Sequence, residues 1–338
     1  MKKNALITGI TGMVGSHLAD YLLKNTDWNI YGLIRWRSPL DNIKHHIDNI
    51  NSQNRVFLKY GDIKDYGSLE EIFRANDFDY IFHLAAQSYP KTSFNSATQT
   101  YETNVMGTEN VLKASLRFCP NAIIHNCSSS EVFGRVPKHL VPIKENTPFH
   151  PASPYAISKC SADLIGRFYA EAHNLKVLTT RMFTHTGPRR GDVFMESTFA
   201  KQIALFEKGY LPPSVLTGNL NSIRTIADVR DAVRAYYLLV TTENIPSGSV
   251  FNIGGKFTTS VKSILEKLIS LSTKENISHE IDSSRIRPID ADLQIPDISA
   301  FKKYTRWEPE YSFDQTMNDL LDYWRKLVEK NGNVYLQR

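Results

Sequence analysis

Ala5-Leu6-Ile7-Thr8-Gly9-Ile10-Thr11-Gly12-Met13-Val14-Gly15 opens as an apolar run and breaks at Gly9 into a turn whose glycines are spaced three apart. Helical spacing of apolar residues continues at once, from Gly15 to Lys24. Strand, glycine turn and helix in that order begin a β-α-β unit. Such a turn is common by itself, and it gains weight from the strands and helices after it.

Further apolar or β-branched runs at Ile30 to Ile34, Val56 to Lys59, Tyr80 to Leu84, Ala122 to Asn126 and Val177 to Thr180 read as strands. Between them, Ser68 to Arg74, Thr100 to Phe118 and Pro154 to His173 carry helical spacing. This alternation predicts an α/β fold in which a doubly wound, Rossmann-type parallel sheet has helices on both faces. After Arg181 the pattern loosens into turn-rich stretches at Gly187 to Gly191, Leu211 to Asn221 and Arg285 to Pro296, which predict a second, smaller, discontinuous α/β lobe. The helical Ala227 to Thr241 and the strand-like Val250 to Ile253 return the chain to the main sheet. The expected division is residues 1–181 plus 226–254 for the larger domain and 182–225 plus 255–338 for the smaller.

Composition narrows the partners. The 338 residues are long enough for about two domains, and their net charge of +5 is spread along the chain instead of gathered in a tail, which argues against nucleic acid. Cys119, Cys127 and Cys160 have neither the number nor the spacing of a disulfide framework, and a reducing cytoplasm is expected. No apolar stretch approaches the roughly 20 residues that span a bilayer, so no membrane partner is expected. The histidines, His45 and His46 adjacent and the rest scattered, show no metal spacing, and no metal is expected.

Placed at the first strand of such a sheet, the glycine turn becomes specific. Gly9, Thr11, Gly12, Met13, Val14 and Gly15 would bring backbone N–H groups to a dinucleotide pyrophosphate at a helix N-terminus, where the helix dipole favours negative charge. The end of the second strand selects among dinucleotides, because NAD sites usually place an acidic residue there. Arg35 stands at that position, with Arg37 and Ser38 close after it, so NADP is favoured over NAD. Asp62 and Ile63, after the third strand, are candidates for the adenine edge.

Tyr155 and Lys159 are four residues apart on one helical face. Tyrosine ionises near pH 10, so it becomes a useful base only where a neighbour stabilises its phenolate, and Lys159 is the expected neighbour. Just after the fifth strand, Ser128-Ser129-Ser130-Glu131 puts hydroxyls and a carboxylate at the sheet edge where doubly wound folds bind ligands. The same serines would also serve as helix caps or turn formers.

With these residues in place, the chain resembles an extended short-chain dehydrogenase/reductase acting on nucleotide sugars. Ala85-Ala86-Gln87-Ser88, the Ser-Ser-Glu-Val-Phe-Gly run ending at Gly134, Ser153-Pro154-Tyr155-Ala156, Gly187-Pro188-Arg189-Arg190-Gly191 and Gly218-Asn219-Leu220-Asn221-Ser222-Ile223-Arg224 are similar to the GDP-mannose 4,6-dehydratase family, the Pro-Arg-Arg-Gly segment most of all. The resemblance implies that Ser129, Glu131, Tyr155 and Lys159 are catalytic and that Leu84, Ala85 and Ala86 join the cofactor site. It places Ser88, Ser130, Glu131, Thr184, Arg190, Arg224, Arg287 and Asp290 at a GDP-sugar, with arginines for the pyrophosphate. Serine stands at Ser129 where the family has threonine, Thr184 where it has asparagine, and Thr198 where it has lysine, which leaves GDP-mannose, a GDP-heptose and GDP-N-acetylglucosamine open as substrates. The implied reaction moves a hydride from C4 to C6 of the sugar through NADP with loss of water. A homodimer or homotetramer is implied by the family. A UDP-glucuronate decarboxylase, a nucleotide-sugar epimerase and a non-catalytic NADP-binding protein remain the alternatives.

Overall fold

The computed structural model describes residues 2–52, 54–286 and 291–335. Seven strands form the central sheet: β1 (Asn4–Thr8), β2 (Asn29–Ile34), β3 (Val56–Tyr60), β4 (Tyr80–His83), β5 (Ile123–Cys127), β6 (Val177–Met182) and, after an excursion, Val250–Ile253. All neighbours are parallel, in the spatial order Val250–Ile253, β6, β5, β4, β1, β2, β3. The sheet therefore holds the six expected strands plus the returning one. The order reverses between β1 and β4, and a crevice opens where the connections diverge from that pair.

Strand sequences are apolar without alternation because both faces are covered. Leu6 packs with Leu69, Phe73, Val111 and Leu112 on one face, and its neighbour Ile7 with Leu18, Leu22, Val233 and Tyr236 on the other. Successive side chains of a strand point to opposite faces, so these adjacent residues anchor different helix layers. The helix Pro154–His173 has both ends written in its sequence. Ser153 caps it by accepting from the Ala156 N–H at 3.0 Å, Pro154 occupies its first turn, and Asn174 closes it in the left-handed conformation.

The smaller lobe is built from short strands, numbered on in chain order: β7 (His185–Thr186), β8 (Ser214–Thr217), β9 (Ile223–Asp228), β10 (the returning Val250–Ile253 of the main sheet), β11 (Phe257–Ser260), β12 (Ser278–Ile281) and β13 (Leu293–Gln294). β9 is the hub, paired with β11, β13 and β7, while β12 pairs with β8. Helices Met195–Glu207, Val261–Ser270 and Phe313–Tyr335 share a core of Phe199, Ile203, Leu265, Leu320 and Trp324. The expected division at 225/226 falls inside β9, and Phe301 and Trp307 pack into the core beneath the main sheet. No helix among the described residues is long and apolar enough to cross a membrane.

One buried ion pair fastens β6 to the helix behind it. Arg181 (2% exposed) donates to both carboxylate oxygens of Asp163 (0%) at 2.8 and 3.0 Å, and its third bond, to the Glu145 carbonyl, fixes the loop outside. Phe133 and Phe149 flank the guanidinium. Asp163→Ala would leave that charge buried and uncompensated. A loss of about 3–5 kcal/mol in unfolding free energy is expected, read as a lower urea midpoint at unchanged slope.

Candidate active site

The floor of the crevice is set by Thr8 at the end of β1. Its hydroxyl accepts the Leu84 and Ala85 N–H groups at 3.0 and 3.1 Å and contacts His83 Nδ1 at 3.0 Å, while His83 Nε2 reaches Thr108. Burial pushes the His83 imidazole down to about 3, so it stays a neutral link in this chain. The glycine turn lies against the same loop. Gly9 has φ +77°, and a Cβ there would sit 3.0 Å from the Ala85 backbone. A Cβ on Gly15 would fall 2.3 Å from the Gly9 carbonyl oxygen, so helix and turn meet at glycine distance.

A single cavity of about 1510 Å³ runs from this turn into the smaller lobe. Ligand pockets are commonly about 300–1,000 Å³, so this one suits two ligands end to end. Gly9, Thr11, Gly12, Met13, Val14, Gly15, Arg35, Ser38, Asp62, Ile63, Leu84, Ala85 and Ala86 line it. Their glycine backbone and helix N-terminus fit a dinucleotide pyrophosphate. Arg35 is held in a turn in which its N–H donates to Ser38 Oγ at 3.0 Å and its carbonyl accepts from the Ser38 N–H at 2.9 Å. Arg37 stands apart from this lining. It does not line the cavity, and its guanidinium lies over the exposed Trp36 ring, 4.8 Å from the centroid.

Ser88, Ser129, Ser130, Glu131, Tyr155, Lys159, Thr184, Arg190 and Arg224 line the remainder. Arg287 and Asp290 lie outside the described residues. Ser129 is both cap and reacting-end hydroxyl, two roles that the sequence leaves as alternatives. Its Oγ accepts from the Glu131 N–H at 3.2 Å at the start of the 3₁₀ turn Ser130–Phe133, and the same side chain draws the Tyr155 phenol down.

Tyr155 is buried in the first turn of its helix, where burial raises the phenol well above its ordinary value. The Ser129 hydrogen bond and the Arg190 charge pull it back, while Cys127 and Glu131 push it further up. Lys159 donates from Nζ to the Cys127 carbonyl at 2.8 Å, and burial lowers the ammonium. The ammonium is thus anchored to the end of β5, and the cationic help acting on the phenol includes Arg190, for which the sequence suggested a place at the pyrophosphate.

The two arginines of the Pro-Arg-Arg-Gly segment separate. Arg189, with φ +68°, pairs with Asp20 at 2.8 Å, and the same carboxylate contacts His45 and His46 at 2.7 and 2.6 Å. The fold thus joins the adjacent histidines to a carboxylate 25 residues earlier, a grouping that spacing alone does not show. Arg190 turns inward, stacked 3.5 Å over Phe194. Arg224 donates to the carbonyls of Ile223 and Ala291, which ties it to β9 at the edge of the smaller lobe.

The comparisons with known proteins agree with this geometry. Residues 6–320 match the model of the family described as GDP-mannose 4,6 dehydratase. The chain belongs to that family. It is 31% identical to the GDP-mannose 4,6 dehydratase of Drosophila melanogaster, over 97% of this chain and 88% of that one, and 30% identical to the human enzyme of the same name, over 98% and 93%. Among solved structures, RMD from Pseudomonas aeruginosa, complexed with NADPH, superposes with a TM-score of 0.82 at 25% identity, covering 97% of this chain and all of the other. The dTDP-glucose 4,6-dehydratase of Bacillus anthracis, in complex with NAD, gives the same score and identity over 97% and 98%. A nicotinamide dinucleotide is the cofactor class of this site.

Sequence reading missed Asn104, within a π-helical segment at Glu102–Met106. Asn104 donates from Nδ2 to Ser158 Oγ and the Gln87 carbonyl, both at 2.9 Å, and accepts from the Gln87 N–H at 2.8 Å. Ser158 in turn bonds the Tyr155 carbonyl, so Asn104 ties the Tyr155 helix to the loop after β4. The π-segment is readable from sequence only as part of a long helix. Asn42, bonded to the Thr11 carbonyl at 2.9 Å, and Glu196, inside the cavity, were also missed, since neither belongs to a motif.

Ser129→Ala is expected to move the ascending limb of log kcat/KM upward by about one pH unit, because the hydrogen bond that is lost holds the phenol down. At neutral pH the rate falls by roughly tenfold on the same basis. Tyr155→Phe, which has no proton to lose, is expected to show no turnover at any pH.

Proposed function

We propose that this protein is an NADP-dependent GDP-sugar 4,6-dehydratase that converts a GDP-hexose to the GDP-4-keto-6-deoxy sugar. The observation that carries the reading is the meeting of Ser129, Glu131 and Tyr155 at the end of β5, in the cavity that the glycine turn shares. A bound nicotinamide dinucleotide supplies hydride acceptance and return. Tyr155 takes the C4 hydroxyl proton, its phenol drawn down by Ser129 and Arg190, and Lys159 is anchored at the end of β5 by the Cys127 carbonyl. A ketone at C4 acidifies the C5 proton, and Glu131 removes it. The same carboxyl group, now protonated, gives that proton to the C6 hydroxyl, which leaves as water; as hydride returns to C6, C5 takes a proton from solvent through Glu131 and Tyr155 releases its own to solvent, so Glu131 serves as base and then acid. The guanosine end lies toward the smaller lobe, where Arg224 and the turn Gly218–Asn221 line the cavity, and Arg287 and Asp290 remain assigned there by family resemblance.

NADP is favoured over NAD because Arg35 faces the cofactor end from the position where an acidic side chain would repel a ribose phosphate. The protein is assigned to the cytoplasm on its unpaired cysteines, as a homodimer or homotetramer on its family.

Glu131→Gln keeps size and hydrogen bonding but cannot take a proton. In D₂O this variant is expected to incorporate no deuterium at C5 and to yield no product lighter by one water in the mass spectrum. Dehydration at near the wild-type rate would assign the base elsewhere. Arg35→Asp is expected to weaken NADP⁺ binding by roughly 1–3 kcal/mol, the range of a charge-assisted phosphate contact, with little change for NAD⁺. Fluorescence titration of both cofactors reads this, and equal wild-type affinities for the two would overturn the NADP assignment.

A further inference from the structure

The cavity wall facing the reacting residues holds a carboxylate that the mechanism leaves without a role. Glu196, in the first turn of the helix Met195–Glu207, lines the cavity and is 3% exposed. Its Oε1 lies 3.6 Å from Arg190 Nε, too far for a hydrogen bond. Both atoms are buried, and neither has a hydrogen-bond partner among the described residues. Buried polar atoms are almost always paired, so a donor and an acceptor left facing each other inside a ligand cavity mark a place for a ligand's polar group.

The surroundings hold the gap open. Arg190 is stacked on Phe194, and its carbonyl accepts from Ser197 Oγ at 2.8 Å, which in turn accepts from Trp324 Nε1 at 2.8 Å. The missing group must donate to a carboxylate and accept from a guanidinium N–H. A hydroxyl does both. The charge of Arg190 reaches Tyr155 and His185, which puts the gap at the reacting end of the cavity. Glu196 also compensates the charge of Arg190, so the wall suits an uncharged sugar and offers no surplus cation to a uronate carboxylate.

We propose that Glu196 and Arg190 together read a ring hydroxyl of the hexose, which makes Glu196 a specificity residue for an uncharged sugar. The inference rests on the dehydratase reading above. The hydroxyls at C4 and C6 react, so the one read is at C2 or C3.

A double-mutant cycle tests this. Wild type and Glu196→Ala are compared on GDP-mannose and on its 2-deoxy and 3-deoxy analogues, with Glu196→Gln and the thermal midpoint of each variant as controls for folding. Wild type is expected to lose roughly 10- to 100-fold in kcat/KM on one of the two analogues, the range of a hydrogen bond to a charged group. Glu196→Ala is expected to lose a similar factor on GDP-mannose and then to discriminate between parent and analogue by less than about threefold. Glu196→Gln, which still accepts, is expected to recover part of the discrimination. The same cycle run on binding, by calorimetry with each GDP-sugar against GDP alone, does not depend on turnover. If wild type dehydrates none of these sugars, nor a GDP-heptose or GDP-N-acetylglucosamine, the dehydratase reading falls while the binding cycle still judges the hydroxyl contact. Undiminished discrimination in Glu196→Ala, or a wild type indifferent to both deoxy positions, overturns the proposal.

Discussion

The site depends on how closely two loops approach at the reversal of the sheet. Thr8 uses one hydroxyl oxygen to hold the Leu84 and Ala85 N–H groups, and Gly9 is bare on the side that faces Ala85. A side chain at Gly9 would force these loops apart and meet a positive φ that such residues rarely adopt. Because they stay together, the cofactor end of the cavity and the end of β5 open onto one volume. The catalytic side chains then need only short reaches from strand and helix ends.

Rigidity at the reacting end comes from buried polar links. Ser153 and Pro154 start the Tyr155 helix at a fixed point, Ser93 bonds the Tyr155 N–H at 3.1 Å, and Asn104 fastens the next turn to the loop after β4. The phenol sits where burial opposes its ionisation and hydrogen bonding assists it. Its basicity is therefore set by neighbours placed by two separate elements: the end of β5 with the turn after it, and the Pro-Arg-Arg-Gly segment.

Much of this is legible in the chain. The helix Pro154–His173 and the strand Val250–Ile253 fall where apolar spacing puts them, since a capping serine, an N-terminal proline and a β-branched run are local signals. Local signals fail where partners are distant. The place of Arg37 beside Arg35 suggests a cofactor ligand, but which way a loop side chain turns depends on Trp36 and open solvent. The expected domain boundary cuts β9 because its partners, β7, β11 and β13, lie up to about seventy residues away.

By itself, the sequence determined the parallel sheet, the glycine turn at its first strand and the serine, glutamate, tyrosine and lysine at its edge, because each is encoded in residues that act within one or two turns of one another. Tertiary structure alone decided what those groups face. It split Arg189 from Arg190, sending one to Asp20 and the other to Phe194 and Glu196. It also set Ser129 at once to cap the turn that follows and to act on the Tyr155 phenol. The physical reason is that charge and hydrogen bonding act over a few ångströms in space, and only the packing of two lobes brings residues from distant parts of the chain within that range.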